Sequence, residues 1–528
     1  MGAAGRLLVL GGLLLAPAAG AQNMAAFTDA GYSPVVYTAS PARPVQPCAG
    51  FQALTEGTVT ILSVTAIPEG RGTLPHCRIA GLIAPEIRFE LNFPQAWNRR
   101  FYMFGNGGFA GETPETPPKP LYRDHALAAG FATAWTDTGH DARREPLGSF
   151  AADQQKLIDY SFRAVHLTAV LAKQLAARYY GRPPAYAYWD GCSTGGREGL
   201  MEAQRFPADF DGILAGAPVL NLVDTVIDGL WNARALAHTG LTLDKMQTVS
   251  EAAYRKCAGP AGVIEDPRRC DFDPARDVRQ CAEGTDDAGC LTKAQAAGIK
   301  QVYAGPMSKG KPYFFGFMPG AEVAGTPFTG IGTVKSQWDQ WLIGRDGGPS
   351  IQLVFAEAFL KYAAYPAPPN PSATLAEFDF DRDPERMGEV RALLNADDPD
   401  LAAFRQRGGR MIMYHGWADT ALSPLMSIDY YQRALAATGP DTDRFFRLFM
   451  VPGMAHCRGG IGTDKFDAMT ALIRWVENGQ APAQIPAARV TNGRVDRYRP
   501  LCPFPQQAIY DGRGSVDEAA SYKCGVVK

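Results

Sequence analysis

Apolar positions in the first half of the chain fall in short runs that end in glycine-rich or polar turns, with stretches of helical spacing between them. Thr58-Val59-Thr60-Ile61-Leu62 and Ile87-Arg88-Phe89-Glu90-Leu91 alternate or are β-branched, and read as strands. Three more strand-like runs, 100–104, 131–135 and 185–189, lead into Gly105-Asn106-Gly107-Gly108, Thr136-Asp137-Thr138-Gly139-His140 and the turn 190–196. Over 153–180, Leu157, Phe162, Val165, Leu167, Val170, Leu171 and Leu175 keep a helical period. Strands separated by helices predict an α/β protein with a mainly parallel sheet covered on both faces.

The alternation stops near residue 225. Residues 226–395 have poor strand periodicity, aromatic clusters such as Tyr313-Phe314-Phe315-Gly316-Phe317 and a proline-rich joint at 366–371. Strand-like runs then return at 410–414 and 445–451, each followed by a polar loop. So long a loop without structure of its own is uncommon, so the pattern predicts one sheet domain, 22–225 plus 396–528, interrupted by a lid at 226–395. The stretch 486–528 reads as a tail stapled by cysteines.

The N-terminus changes the compartment. Arg6, the apolar run Leu7 to Leu15 and the small residues Ala18, Ala19, Gly20 and Ala21 form the three regions of a secretory signal peptide, so 1–21 is expected to be removed. The apolar run is too short to span a bilayer, which needs about 20 residues. Ten cysteines in an exported chain read as up to five disulfides whose pairing the count leaves open. A zinc site from Cys257, Cys270, Cys281 and Cys290 is disfavoured, because no Cys-x-x-Cys occurs. A net charge of -2 on 528 residues gives no electrostatic reason to expect nucleic acid or an anionic membrane as partner.

The chemistry concentrates at Gly191-Cys192-Ser193-Thr194-Gly195-Gly196, a Gly-x-Ser-x-Gly between a strand and a helical stretch. Such a turn lifts the serine hydroxyl above the sheet and aims the Thr194 amide, at a helix start, toward an oxyanion. A serine needs a base and an orienting carboxylate, expected later in the chain in the order acid, then histidine. After 410–414 comes His415-Gly416-Trp417-Ala418-Asp419, and after the run ending at 451 comes Gly453-Met454-Ala455-His456-Cys457. With seven histidines to choose from, this order and setting select Ser193 as nucleophile, His456 as base and Asp419 as orienting acid, with Asp397 and Asp398 as fallback carboxylates. Gly107 and Gly108 are candidates for the second oxyanion donor. Cys192 precedes the nucleophile and Cys457 follows the base, so a working triad would bring these two cysteines together as a disulfide.

With those motifs, and with Gly105-Asn106-Gly107-Gly108-Phe109-Ala110-Gly111, the chain from about 45 to 525 resembles the tannase and feruloyl esterase family, which includes mono(2-hydroxyethyl) terephthalate hydrolase. The resemblance implies an α/β-hydrolase core with a large inserted lid, Ser-His-Asp catalysis, and the pairs Cys48 with Cys77, Cys257 with Cys270, Cys281 with Cys290, and Cys502 with Cys524. It also implies a small aromatic ester as substrate, with ferulate, gallate or terephthalate as the acid. Trp338, Trp341 and Arg345 are the lid residues proposed to hold that acid. Relatives carry a calcium loop inside the disulfide corresponding to Cys257 and Cys270. Here that interval is short and offers only Glu265 and Asp266 as carboxylates, so no metal or other cofactor is expected. The expected function is a secreted or periplasmic hydrolase of aromatic-acid esters. The rivals are a hydrolase of terephthalate-type or aliphatic esters and a non-catalytic secreted binding protein on the same fold. An intact triad argues against the last, because binding alone needs no such set.

Overall fold

The structure is a computed structural model that describes residues 41–52, 54–70, 74–322, 338–344, 348–365 and 369–527. The leader at 1–21 and Arg345 lie outside the described residues.

Eight strands precede residue 220: β1 Thr55–Glu56, β2 Val59–Ile67, β3 His76–Ile83, β4 Ile87–Pro94, β5 Arg100–Phe104, β6 Ala132–Thr136, β7 Tyr186–Cys192 and β8 Gly212–Gly216. After a small hairpin, β9 Met307–Ser308 with β10 Lys311–Pro312, the sheet resumes with β11 Arg410–Gly416 and β12 Phe446–Val451. The ten-stranded order is β1-β2-β3-β4-β6-β5-β7-β8-β11-β12. From β6 onward every pairing is parallel. The expectation of a mainly parallel sheet needs correcting for the other half, where β1 to β4 and the β4–β6 pair are antiparallel. The antiparallel edge is the more open: β2 runs through half-buried and exposed positions, whereas β6 and β8 are buried throughout.

Side chains along each central strand alternate between two cores, as a period of two requires. Phe101, Met103, Ala187, Trp189, Ile213, Ala215, Met411 and Met413 pack under helices Ala164–Tyr180 and Thr194–Arg205. Tyr102, Tyr188, Leu214 and Ile412 pack on the opposite face under Lys119–Ala128 and Ala468–Asn478. The helical period over 153–180 is realised in three pieces: Gln154–Ile158, a π-turn Asp159–Arg163, and Ala164–Tyr180, which ends at Gly181 in the left-handed conformation.

Between β8 and β11 the chain forms an insertion with a core of its own, in which Met246, Val249, Ile299, Phe317 and Trp338 pack together. The expected boundary at 226 falls inside helix Leu222–Leu236. The tail holds strands β13 Lys465–Phe466, β14 Ile485–Thr491 and β15 Arg494–Leu501, then the hairpin β16 Gln507–Tyr510 with β17 Tyr522–Gly525. Five disulfides link Cys48–Cys77, Cys192–Cys457, Cys257–Cys270, Cys281–Cys290 and Cys502–Cys524. Among the described residues no helix is long and apolar enough to cross a membrane.

Candidate active site

Ser193 stands at the junction of β7 and helix Thr194–Arg205 with φ 63° and ψ -122°, a backbone conformation that costs roughly 1–3 kcal/mol for a side-chain-bearing residue. Its amide donates to the Gly216 carbonyl at 3.0 Å, which ties the turn to the end of β8. The turn tolerates only glycine on either side: a Cβ on Gly191 would lie 2.4 Å from the Gly195 carbonyl carbon, and one on Gly196 would lie 2.5 Å from the Gly216 oxygen.

The loops after β11 and β12 are laced together by Trp417 N–H to the Val451 carbonyl at 2.9 Å and Ala418 N–H to the Met454 carbonyl at 3.0 Å. This brings His456 Nδ1 to 2.8 Å from Asp419 Oδ2, while Asp419 Oδ1 accepts the amides of Ala421 at 2.9 Å and Leu422 at 3.0 Å. Asp419 is fully buried. Burial alone would raise its carboxyl, but His456 and His415 outweigh it and hold the group well below the usual carboxylate range. Asp397 is engaged by Asn221 and Asn395, and the Asp398 carboxylate accepts the Asp400 amide, so neither fallback acid is the partner of His456.

Ser193, Thr194 and His456 line one cavity of about 680 Å³. Its apolar lining includes Val219, Leu222, Val226, Trp341, Ile351 and Phe355, all from the insertion between β8 and β11. The Trp341 ring stands edge-on to His456 at 5.9 Å. Trp338 needs correcting: it is fully buried in the core of the insertion, edge-on to Tyr303 at 6.0 Å and Phe317 at 6.4 Å, because that small core needs a large ring at its centre.

The glycine loop is also at the cavity, but its two glycines differ. The Gly107 amide donates to Glu112 Oε2 at 3.3 Å, which leaves Gly108 as the loop's candidate oxyanion donor. The Gly108 carbonyl accepts Thr194 Oγ1 at 2.6 Å and the Tyr160 hydroxyl at 2.9 Å. Glu198, one helical turn beyond Thr194, accepts the Asn106 amide at 3.0 Å and the Asn106 Nδ2 at 3.1 Å. Sequence reasoning missed Tyr160 and Glu198. For Glu198 a signal was present, an acid four residues after Thr194 and therefore on the same helical face.

Burial is the largest influence on several carboxyls. Burial pushes Asp137, Asp190 and Glu322 up to about 7, and raises Glu202 and Asp228 well above their ordinary value. Each of these acids binds its proton more tightly folded than unfolded, so its contribution to stability is present at low pH and is lost as pH rises through the folded value. The histidines His76, His125 and His140, lowered by their buried or half-buried settings, act in the opposite sense only below about pH 6.5. The melting temperature, followed by calorimetry, is therefore expected to fall between about pH 6.5 and 8, and a flat or rising profile would contradict these assignments.

At the expected calcium loop, Glu265, Asp266 and the nearby Asp273 and Asp277 are matched by bases. Arg499 Nη2 lies 2.8 and 2.9 Å from the two Glu265 oxygens, and Asp266 is held at 2.8 and 2.7 Å by the Arg268 guanidinium. Asp273 and Asp277 pair with Lys300 at 2.8 Å and Lys256 at 2.7 Å. Such a set does not fit calcium, which takes six to eight oxygens. A second group, His166, Glu202 and Asp209, has His166 Nδ1 at 2.6 Å from Asp209 and Lys173 at 3.1 Å, so Asp209 is likewise neutralised.

Comparison with known proteins agrees with this architecture. The profile of the family described as tannase and feruloyl esterase matches residues 72–525. The chain is 36% identical to the mono(2-hydroxyethyl) terephthalate hydrolase of Piscinibacter sakaiensis, over 88% of this chain and 86% of that one. It is 29% identical to feruloyl esterase B of Aspergillus niger, over 85% and 86% of the two chains. The crystal structure of feruloyl esterase B from Aspergillus oryzae superposes with a TM-score of 0.79 at 26% identity, covering 90% of this chain and 99% of that one.

Proposed function

The chain belongs to the tannase and feruloyl esterase family and is a carboxylic ester hydrolase with an α/β-hydrolase fold, and from that premise we propose that it cleaves esters of aromatic acids through an acyl-enzyme on Ser193. The observation that carries the mechanism is the His456–Asp419 hydrogen bond in the cavity that Ser193 lines. With Nδ1 engaged by Asp419, Nε2 is the nitrogen left to take the serine proton. Ser193 Oγ then attacks the ester carbonyl, and the amides of Thr194 and Gly108 hold the oxyanion. His456 returns the proton to the leaving alcohol, and water, activated by the same imidazole, releases the acid.

An aromatic acyl group is supported by the flat apolar walls that Trp341 and Phe355 offer. In this reading the segment 226–395 acts as the lid, since those rings come from it. The 36% identical relative supports a second reading, in which the acid is terephthalate and its free carboxylate needs a cation, for which Arg345 is the candidate. Turnover of methyl ferulate, methyl gallate, mono(2-hydroxyethyl) terephthalate and a para-nitrophenyl alkanoate separates these. Hydrolysis of the aromatic esters is expected, and turnover of the alkanoate alone would reject the substrate class.

Export is supported by the leader pattern at 1–21 and by five disulfides, which persist in oxidising compartments. We propose further that the protein works without calcium, because the Glu265 and Asp266 carboxylates are spent on Arg499 and Arg268. Chelation is then expected to leave the melting temperature within about 1 °C, since only a ligand bound to the folded state adds stability. A fall of several degrees would overturn this.

A further inference from the structure

Asp419 touches a second imidazole that the mechanism above does not use. His415, the penultimate residue of β11, is fully buried, with Nε2 3.2 Å from Asp419 Oδ2, the same oxygen that faces His456, though without the alignment of a full hydrogen bond. Its Nδ1 lies 2.8 Å from Ser427 Oγ on helix Leu425–Thr438, a residue that is also fully buried.

These contacts determine the tautomer. An ionised carboxylate only accepts, so a bare Nε2 lone pair at 3.2 Å in a dry site would face another lone pair. The proton therefore belongs on Nε2, Nδ1 is the acceptor, and the Ser427 hydroxyl donates to it. Resting on the triad reading, we propose that His415 is a positioning residue for the ester hydrolysis: with its Nε2 proton fixed by Ser427, it holds Asp419 Oδ2 in register for His456.

The carboxylate is then met from two sides. Oδ1 takes the amides of Ala421 and Leu422, and Oδ2 faces the two imidazoles. The titratable groups facing Asp419 are His456 from the loop after β12 and His415 from β11, while the helix contributes the Ser427 hydroxyl and the loop contributes amides. Because His415 shares the negative charge of Oδ2, it moderates the pull of Asp419 on the His456 proton. Without that share the imidazolium is held more tightly, so the acidic limb of the rate profile moves to higher pH.

The test uses the full mature chain with para-nitrophenyl acetate from pH 5 to 9, comparing wild type, His415→Leu, His415→Gln, Ser427→Ala and Ser193→Ala, each checked by thermal melting. His415→Leu is expected to lower kcat about 10- to 100-fold with KM within about twofold, and to move the acidic limb upward by roughly half to one pH unit. Gln, whose amide can donate toward Asp419, is expected to restore most of kcat and return the limb toward its wild-type position. Ser427→Ala frees the tautomer and should move the limb in the same direction by less, which keeps the inference testable should the leucine variant fail to fold. A folded Ser427→Ala with the wild-type profile, or glutamine no better than leucine, would overturn the role of His415. Activity surviving in Ser193→Ala would instead remove the triad reading beneath it.

Discussion

Ser193→Ala is expected to lower kcat/KM for the best aromatic ester by about four to six orders of magnitude while leaving the melting curve in place. The size follows from how the site is built. In the proposed mechanism Ser193 forms the covalent bond, and removing it leaves only the oxyanion amides and the binding cavity, which supply a small residue of the catalysis. Stability should not suffer, because alanine removes one oxygen from a half-buried side chain and keeps the turn's hydrogen bond, which runs from the backbone amide to Gly216. Steady-state kinetics with an intact-mass check for contaminating hydrolase would measure it. More than a few per cent of wild-type activity would show that another nucleophile does the work.

Removing the Cys192–Cys457 disulfide by paired alanine substitution is expected to give the largest loss of stability of any of the five bridges. It spans 265 positions, against 29 or fewer for the others, and the entropy a cross-link takes from the unfolded chain grows with the loop it closes. On that basis the loss is about 5–6 kcal/mol, read from the shift in denaturant midpoint. Activity should fall too, by about 10- to 100-fold in kcat, because the bridge joins the residues next to Ser193 and His456, and small displacements of reacting groups are costly. Paired alanines at Cys502 and Cys524, a bridge spanning 22 positions in the tail, provide the control, with kcat expected unchanged. Equal effects on kcat from the two pairs would mean that the 192–457 bridge does not align the site.

How far the site was readable depends on the range of the interactions that make it. The nucleophile turn announces itself locally, since the glycines at 191 and 196 are demanded by backbone atoms a few residues or one strand away, and the continuous apolar runs at 100–104 and 410–414 mark strands buried on both faces. Ser193, Asp419 and His456 could be chosen as candidates from chain order and strand ends because in this fold catalytic groups sit where strands stop. The antiparallel half of the sheet was harder to foresee, because pairing partners are chosen by tertiary packing and not by the strand's own residues.

Other features lay beyond local pattern altogether. That Trp341 reaches the cavity while Trp338, three residues earlier, fills the core of the insertion depends on how that insertion packs against the sheet, which no spacing rule encodes. Likewise the glycine loop offered two equivalent amides until Glu112 took the one at Gly107, and His415 looked like a strand residue passed on the way to Asp419 until the packing of helix Leu425–Thr438 brought Ser427 to its ring. Chain order, turn chemistry and face periodicity are short-range and survive in the sequence. The partner of a buried donor or ring is settled only when distant segments compete for the same space, because burial makes each unmatched polar atom expensive and folding selects the arrangement that leaves fewest.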